Sequence, residues 1–176
     1  NILKIVTCTS RRSRVNEKNG VDYYFLEKDD FKDKSKFVET AIVHGNYYGT
    51  LKKEVENKLI TGKNIIWVMD VQGVDSVLKN YKNILGNYST IFLITEKLSA
   101  LFERIKNRND PNFEERIKSI KKELNYIHLF KYIINTSKNI NESLNELKSI
   151  IYNNQNEIRK IENFTKNFNL KKFLES

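Results

Sequence analysis

Short, continuous apolar runs alternate with segments of helical periodicity, and this alternation constrains the fold of the chain most strongly. The runs at 65–69 and 90–94 are almost entirely apolar, which is typical of a parallel strand buried on both faces. The segments that follow them, 73–80 and 98–106, fit helices. Strands that alternate with helices in this way predict an α/β fold, in which helices flank a mainly parallel sheet.

The rest of the chain extends this pattern to one domain, 1–152, with a helical tail, 153–176. Further strands are predicted at 2–6, 23–26, 37–43 and 132–134. Further helices are predicted at 51–60, 114–128 and 140–152. In the tail, apolar residues recur every three to four positions, which predicts an amphipathic helix. We expect it to pack on the domain, and a partner-binding helix is the alternative.

The composition places the chain among globular proteins and excludes several classes. Of its 176 residues, 39% are apolar, and no apolar run approaches the roughly 20 residues that a membrane-spanning helix needs. The start of the sequence lacks the features of a signal peptide. The single cysteine, Cys8, cannot form an intramolecular disulfide, and with two histidines it provides no zinc-type ligand set. We therefore expect a protein of the reducing cytoplasm with no membrane partner.

The net charge of +9 raises nucleic acid as a partner, but the distribution of the charges argues against one. Lysines are interspersed with acids, as in 52–54 and 121–123, instead of forming one basic tract. A solvated surface accounts for this pattern better than a groove for a polyanion. We therefore expect no nucleic-acid partner, and the sequence leaves the oligomeric state open.

Two arginines, Arg11 and Arg14, lie three residues apart just after the first predicted strand. Guanidinium groups match the geometry of phosphate oxygens, and two of them with a phenol can hold a phosphate dianion. Tyr23 and Tyr48 are the candidates for the phenol, since each is predicted to lie in a glycine-containing loop where backbone can approach a ligand. Taken alone, such an arginine pair more often belongs to a solvated surface.

The order of several motifs decides between these interpretations. Along the chain they are Thr9-Ser-Arg-x-x-Arg14, Glu17, Asn19-Gly-x-Asp-Tyr-x-Phe25, Phe37-Val-Glu39, Gly45-Asn-Tyr-Tyr-Gly-Thr50 and Asp70-Val-Gln-Gly73. Over residues 4–152 this series resembles the guanylate kinase family. The resemblance implies an α/β, parallel-sheet P-loop nucleoside monophosphate kinase-like fold with a GMP-binding subdomain at 7–50 and a lid at 104–116. It also implies phosphorylation of GMP to GDP by ATP, with Mg²⁺ as cofactor.

The resemblance also implies roles in binding GMP. The phosphate is expected at Arg11, Arg14, Tyr23 and Tyr48, and the base at Glu39, Thr7 and Thr50. Guanine carries two neighbouring donors, N1–H and the N2 amine, that one carboxylate accepts together, whereas adenine has an acceptor at N1. Because an unmatched buried polar group costs about 1–3 kcal/mol, GMP is expected to be preferred over AMP by roughly tenfold or more. An exposed strand-end acid is the alternative for Glu39.

Roles in phosphoryl transfer also follow from the resemblance. Asp70 is expected near magnesium, Asn135 near the ATP base, and three arginines near the transferring phosphates, Arg104, Arg108 and Arg116. Arginines that stabilise charge in the transition state can be worth about 10³–10⁵ in rate. Arg104 and Arg108 lie four residues apart, so a solvated helix face is the alternative for both. No residue is assigned as a metal ligand.

The chain departs from the family pattern in ways that affect catalysis. Val68 and Thr136 stand where the family has acids, and the shortened stretch 109–113 lacks its Gly-Thr-Glu-Thr-Glu run. The phosphate loop G-x-x-x-x-G-K-[ST] is absent from the sequence, and with it the first strand and helix of the sheet. Since phosphoryl transfer depends mostly on positioning and charge stabilisation, the 176 residues alone are expected to be nearly inactive.

Two explanations of the missing loop remain. A sequence that starts inside a longer guanylate kinase is favoured, because the missing strand would leave an apolar sheet edge exposed. The alternative is a non-catalytic guanylate kinase-like module that binds GMP or a phosphopeptide, which Val68 and the altered lid favour. Against a pure peptide module, Thr7 and Glu39 suit a guanine base. A nucleic-acid binder, supported by charge alone, is a third hypothesis.

Overall fold

The chain divides into two units, Asn1–Gly86 and Asn87–Ser176, each with its own hydrophobic clusters. A computed structural model describes residues 2–107 and 113–176. In these two ranges no helix combines the length and the apolar character that crossing a membrane requires.

The first unit contains a mixed four-stranded sheet and a separate pair of parallel strands. Its strands are β1 (Ile2–Lys4), β2 (Cys8–Thr9), β3 (Tyr24–Phe25), β4 (Phe37–Val43), β5 (Asn46–Leu51) and β6 (Asn64–Ile66). Its helices are α1 (Lys52–Leu59) and α2 (Val71–Asn80), with 3₁₀ turns at Lys28–Lys32, Lys34–Lys36 and Lys82–Ile84. The mixed sheet has the order β3–β2–β5–β4, and β1 pairs in parallel with β6. Within the mixed sheet β2 and β3 are parallel, whereas β5 is antiparallel to both its neighbours.

A two-residue turn, His44-Gly45, joins β4 to β5. Its φ angles are +48° and +73°, and positive φ at both positions gives a tight turn whose twist matches the two strands. The prediction that Tyr48 lies in a loop is therefore wrong, because Tyr48 belongs to β5. Gly49 obscured the strand pattern; a Cβ at this position would lie 2.8 Å from the Glu39 carbonyl oxygen, so close strand pairing requires glycine there.

Two apolar clusters stabilise the first unit. One joins the end of β1, β4 and both helices through Ile5, Val38, Val55 and Val77. The other lies against the mixed sheet, where the ring of Phe31 stacks on that of Phe37 at a centroid distance of 5.1 Å. These clusters fix the strands and loops that carry the candidate site of this unit.

The second unit has one pair of parallel strands and five helices in the part that the structure describes. Its elements are β7 (Ile91–Ile94), α3 (Leu98–Lys106), α4 (Phe113–Leu124), a 3₁₀ turn (Ile127–Leu129), β8 (Tyr132–Asn135), α5 (Ile140–Ile151), α6 (Gln155–Asn167) and α7 (Leu170–Leu174). Ile158 and Ile161 of α6 are buried in one cluster with Tyr132 and Ile134 of β8. Phe173 of α7 is buried in a second cluster with residues of β7, β8, α3 and α4. The last two helices therefore pack on the strands of this unit.

The alternation of strands and helices is as predicted, and the pairs β1–β6 and β7–β8 are parallel. Several elements differ from the prediction. α4 ends at Leu124 instead of residue 128, the tail forms two helices instead of one, and β5 is antiparallel to its neighbours although a mainly parallel sheet was predicted.

Two further differences concern the ends of β6 and α2. β6 ends at Ile66, inside the apolar run at 65–69, and α2 begins at Val71 because the Asp70 carboxylate caps it. The end of the apolar run therefore leads out of the sheet and toward the site described below.

Replacing Ile134 with alanine is expected to destabilise the second unit by about 2–5 kcal/mol, because the side chain is 1% exposed and its removal leaves a cavity. Leu93→Ala is the matched control. Leu93 lies on the paired strand but is 62% exposed, so its removal is expected to cost less than about 1 kcal/mol. Urea unfolding followed by circular dichroism measures both losses. Equal losses in the two variants would contradict the assigned core.

Candidate functional site

The loop between β2 and β3 carries the two arginines and is organised by the carboxylate of Glu17. Nη2 of Arg11 donates to both Glu17 carboxylate oxygens, at 2.9 and 3.0 Å. Glu17 Oε2 also accepts from the backbone amide of Arg14 at 2.8 Å. The Arg11 and Glu17 side chains are 17% and 18% exposed, so solvent screens this ion pair only in part. These bonds tie residues 11–17 into one turn.

Arg11 and Glu17 each favour the charged form of the other. The hydrogen bond from Arg11 lowers the pKa of Glu17 below its usual range. Burial lowers the pKa of Arg11, but its hydrogen bonds to Glu17 and Tyr48 outweigh that effect and raise the pKa overall. Both groups therefore stay charged around neutral pH.

Two tyrosines lie beside the turn formed by residues 11–17, which we call the arginine turn. The Arg11 guanidinium lies 5.6 Å from the centroid of the Tyr23 ring, and the Tyr23 and Tyr48 rings meet edge to face with centroids 6.3 Å apart. Burial raises the pKa of Tyr23, so its phenol keeps its proton and can donate. Arg14 is exposed, and its positive charge contributes a lowering effect to the pKa of both Glu17 and Tyr23. The four side chains predicted to hold phosphate therefore cluster in this unit.

The second group of predicted residues surrounds a buried carboxylate in β4. Glu39 is 5% exposed, and its Oε1 accepts from Thr50 Oγ1 at 2.7 Å. Glu39 and Thr50 face each other across the β4–β5 hairpin, which fixes this contact through the strand register. Trp67 lies just after β6, and its Nε1 donates to Thr50 Oγ1 at 3.0 Å. The alternative of an exposed strand-end acid is therefore wrong for Glu39.

The start of α2 approaches the same carboxylate. Asp70 caps this helix, since its Oδ1 accepts from the amides of Gln72 at 2.7 Å and Gly73 at 3.1 Å. A Cβ on Gly73 would lie 3.1 Å from Glu39 Oε2, so glycine leaves room on that side of the carboxylate. Burial raises the pKa of Glu39, the hydrogen bond from Thr50 lowers it, and the negative charge of Asp70 raises it further, with a net upward shift.

Thr7 and Val68 complete the predicted positions of the first unit. Thr7 is half-buried, and its carbonyl accepts from the Tyr24 amide at 2.9 Å; a hydroxyl contact to a base stays a prediction. Val68 is 65% exposed beyond the end of β6, where the family pattern has an acid. In residues 2–107 and 113–176, no group of three or more His, Cys, Asp or Glu side chains is arranged to hold a metal ion.

In the second unit, Arg104 contacts Thr136, the residue that follows Asn135 at the carboxyl end of β8. Arg104 donates from Nη1 to Thr136 Oγ1 at 3.0 Å and from Nη2 to the Thr136 carbonyl at 2.7 Å. Asn135 immediately precedes Thr136, and its Oδ1 accepts from the Ser137 amide at 2.9 Å. Arg104 is thus anchored at its guanidinium although its side chain is exposed.

The other two predicted arginines belong to the predicted lid at 104–116, of which residues 108–112 lie outside the described residues. Arg116 is half-buried on α4, and its carbonyl accepts from the Ser119 hydroxyl at 2.9 Å. Arg108 lies outside the described residues, so its role stays a prediction.

Three contributors to the site were not assigned a role from the sequence. Glu17 and Gly73 were recognised only as parts of motifs, and Trp67 only as one apolar residue of a strand. The signal for Trp67 was its indole N–H, because a tryptophan in a buried run usually has a hydrogen-bond partner. Its partner Thr50 is 17 positions away in sequence, so only the fold reveals the contact.

The buried Glu39 carboxylate predicts a specific dependence of stability on pH. Because its pKa is raised in the folded protein, Glu39 supports folding fully only below the pKa of the unfolded chain, and that contribution is lost as pH rises through the folded pKa. Glu39→Gln keeps an acceptor for Thr50 without the charge, so we expect it to be more stable than the parent protein at neutral pH. Urea unfolding between acid and neutral pH measures this. Glu56→Gln, an exposed change on α1, is the control and is expected to stay within about 0.5 kcal/mol. A destabilised Glu39→Gln at neutral pH would contradict the assigned electrostatics.

Comparison with known proteins gives a consistent result. A sequence model described as "Guanylate kinase" matches residues 2–154. The guanylate kinase of Mycoplasma genitalium is 36% identical over 152 residues, which cover 83% of this chain and 62% of that relative. The guanylate kinase of Fusobacterium nucleatum is 39% identical over 154 residues, which cover 84% of this chain and 80% of the relative.

The fold agrees with the sequence comparison. The crystal structure of guanylate kinase from Anaplasma phagocytophilum matches with a TM-score of 0.70 and 25% identity, covering 88% of this chain and 76% of that one. The predicted nucleoside monophosphate kinase-like fold is therefore confirmed, and the chain belongs to the guanylate kinase family.

Proposed function

We propose that the first unit binds GMP and that the protein is a guanylate kinase, which transfers a phosphoryl group from ATP to GMP and releases ADP and GDP. The buried Glu39–Thr50 pair is the observation that carries this proposal. A carboxylate that is 5% exposed is unfavourable unless donors match it, and Thr50 supplies one donor. A guanine base supplies two more. Relatives named guanylate kinase support the same assignment.

Glu39 is proposed to read the guanine base. Its Oε1 accepts from Thr50, and its Oε2 lies on the side that Gly73 leaves open. Guanine N1–H and the N2 amine donate together to one carboxylate, whereas adenine presents an acceptor at N1. Thr7 is proposed as a further hydroxyl contact to the base.

The arginine turn is proposed to hold the GMP phosphate. Nη2 of Arg11 already donates to both oxygens of a carboxylate, and a guanidinium also matches the geometry of phosphate oxygens. Arg14 is exposed beside it and supplies a second positive charge. The phenols of Tyr23 and Tyr48 supply neutral donors at the same place. The cluster thus combines the charge and the donors that a phosphate dianion requires.

The catalytic groups are proposed to be Asp70, Arg104, Arg108 and Arg116, with Asn135 at the ATP base. Mg²⁺ is usually held by one or two carboxylates together with substrate phosphates and water. The single carboxylate of Asp70, placed after a strand at the start of a helix, is compatible with that arrangement. When bound, Mg²⁺ neutralises charge that develops on the transferring phosphoryl group. The arginines are proposed to stabilise the same charge.

A non-catalytic module that binds GMP or a phosphopeptide is the second candidate. The exposed Val68 at the position of a family acid favours it. The buried Glu39 favours a nucleotide over a peptide, since a phosphate site alone needs no base-reading carboxylate. The proposal includes a cytoplasmic location, where the single, buried Cys8 stays reduced.

Calorimetry on the 176-residue chain tests the binding site. We expect GMP to be preferred over AMP by roughly tenfold or more, and Glu39→Gln to abolish most of that preference. Arg11→Ala is expected to weaken GMP binding about 10- to 100-fold, because it removes charge-assisted hydrogen bonds. Arg12→Ala removes the same charge from an exposed neighbour and is expected to change GMP affinity little. Binding of a phosphopeptide without GMP would support the second candidate and contradict the first.

A coupled assay of GMP-dependent ADP release tests the catalytic step. It uses the full gene product, because the phosphate loop is not among these 176 residues. We expect Arg104→Ala to lower kcat by about 10³-fold with a smaller change in GMP affinity, since the arginine is proposed to act in the transition state. Lys106→Ala, an exposed change on the same helix, is the control. If GMP binds but no ADP is released, the kinase assignment fails and the binding module remains.

A further inference from the structure

The Trp67 indole, the Thr50 hydroxyl and the Glu39 carboxylate form a hydrogen-bond chain with one direction. Nε1 of Trp67 donates to Thr50 Oγ1 at 3.0 Å, and Thr50 Oγ1 donates to Glu39 Oε1 at 2.7 Å. An indole N–H can only donate, so the hydroxyl must accept from it. The single hydroxyl proton is then directed to the carboxylate. Because Thr50 accepts from Trp67 and donates to Glu39, Oε1 of Glu39 acts as an acceptor.

Packing holds Trp67 in position for this contact. The residue directly follows β6, and its side chain packs on the cluster that contains Val38 and Val55. Thr50 is 0% exposed, so water does not compete for its hydroxyl. Within the hydrogen-bond chain, Trp67 therefore acts on Glu39 through Thr50.

The protonation of Glu39 decides which base it can match. Burial and the charge of Asp70 raise its pKa, whereas the Thr50 hydrogen bond lowers it. Cys8 also interacts with Glu39, but burial raises the pKa of this thiol to about 12, so it carries no charge at neutral pH. An ionised Glu39 accepts from guanine, whereas a protonated Glu39 could donate to adenine N1. A contact that favours the acceptor form of Glu39 therefore favours guanine.

We propose that Trp67 is a positioning residue that strengthens the preference for guanine over adenine by orienting the Thr50 hydroxyl toward Glu39. The inference rests on the proposed function, because it concerns the nucleotide that binds at this carboxylate. Trp67 acts through Thr50 and is assigned no contact with the nucleotide itself.

Nuclear magnetic resonance tests the hydrogen-bond chain without any nucleotide. Trp67 is the single tryptophan, so ¹⁵N-labelled protein gives one indole N–H resonance. We expect slow exchange of this proton with solvent, loss of that protection in Thr50→Val, and a shift of the resonance in Glu39→Gln. Glu56→Gln, far along α1 and exposed, is expected to leave the resonance unchanged. If neither Thr50→Val nor Glu39→Gln changes the exchange rate or the chemical shift of the indole N–H, the proposal is overturned.

Calorimetry with GMP and AMP tests the effect on specificity. Trp67→Phe removes the donor, and we expect the ratio of GMP to AMP affinity to fall about five- to tenfold, as for the loss of one hydrogen bond. Ile65→Val trims the same apolar cluster without touching the chain of donors, and it is expected to keep the ratio. An unchanged ratio in Trp67→Phe, or an equal fall in Ile65→Val, overturns the proposal.

One further variant and the measurements on the unsubstituted chain keep the outcomes distinct. If Trp67→Phe does not fold, benzothienylalanine at position 67 replaces the indole N–H by sulfur at nearly the same shape, and the same fall in the ratio is expected. If the unsubstituted chain binds neither nucleotide, or binds both equally, the proposed function fails and the specificity role of Trp67 fails with it. In that case the indole resonance still reports whether the hydrogen-bond chain exists.

Discussion

The burial of one carboxylate, that of Glu39, is the constraint on which the first unit's site depends. A charge with so little access to water needs donors placed within hydrogen-bond reach, and the β4–β5 hairpin provides one by holding Thr50 opposite it. β5 and the start of α2 both come close to Glu39, and each has a glycine at the point of approach. Gly49 admits the Glu39 backbone, and Gly73 admits its side chain at the start of α2. The hairpin register and Gly73 thus serve the buried charge, whereas Gly49 allows the close pairing of the two strands.

Two glutamates in the same unit are held in opposite electrostatic environments. Glu39 faces neutral donors in a buried setting, and burial raises its pKa. Glu17 faces a guanidinium, and its hydrogen bond with Arg11 lowers its pKa. In the proposed function, Glu39 responds to the hydrogen-bonding edge of the base, while Glu17 remains a fixed negative charge. The same type of side chain is thus proposed for recognition at position 39 and organises a loop at position 17.

Periodicity in the sequence was sufficient for most strands and helices, because continuous apolar runs leave few alternatives to buried strands. It failed at β5, where Gly49 interrupts the pattern and tight pairing with β4 overrides the loop signal. The order of motifs identified Glu39 and Thr50 as candidates. It could not identify the contact from Trp67, since a hydrogen bond between distant positions depends on the register and ends of strands, which local patterns do not specify.

The pairing of Arg11 with Glu17 determines which anions the turn can attract. Any anion that reaches Arg11 competes with the Glu17 carboxylate, whose two oxygens both accept from Arg11 Nη2. An anion with one negative charge carries the same charge as the Glu17 carboxylate that it displaces, so the exchange gains little electrostatic energy. A phosphate monoester brings a charge of about −2 and can engage Arg14 as well. In the proposed GMP site, competition with Glu17 would therefore favour a phosphate dianion over chloride or the carboxylate of a small metabolite.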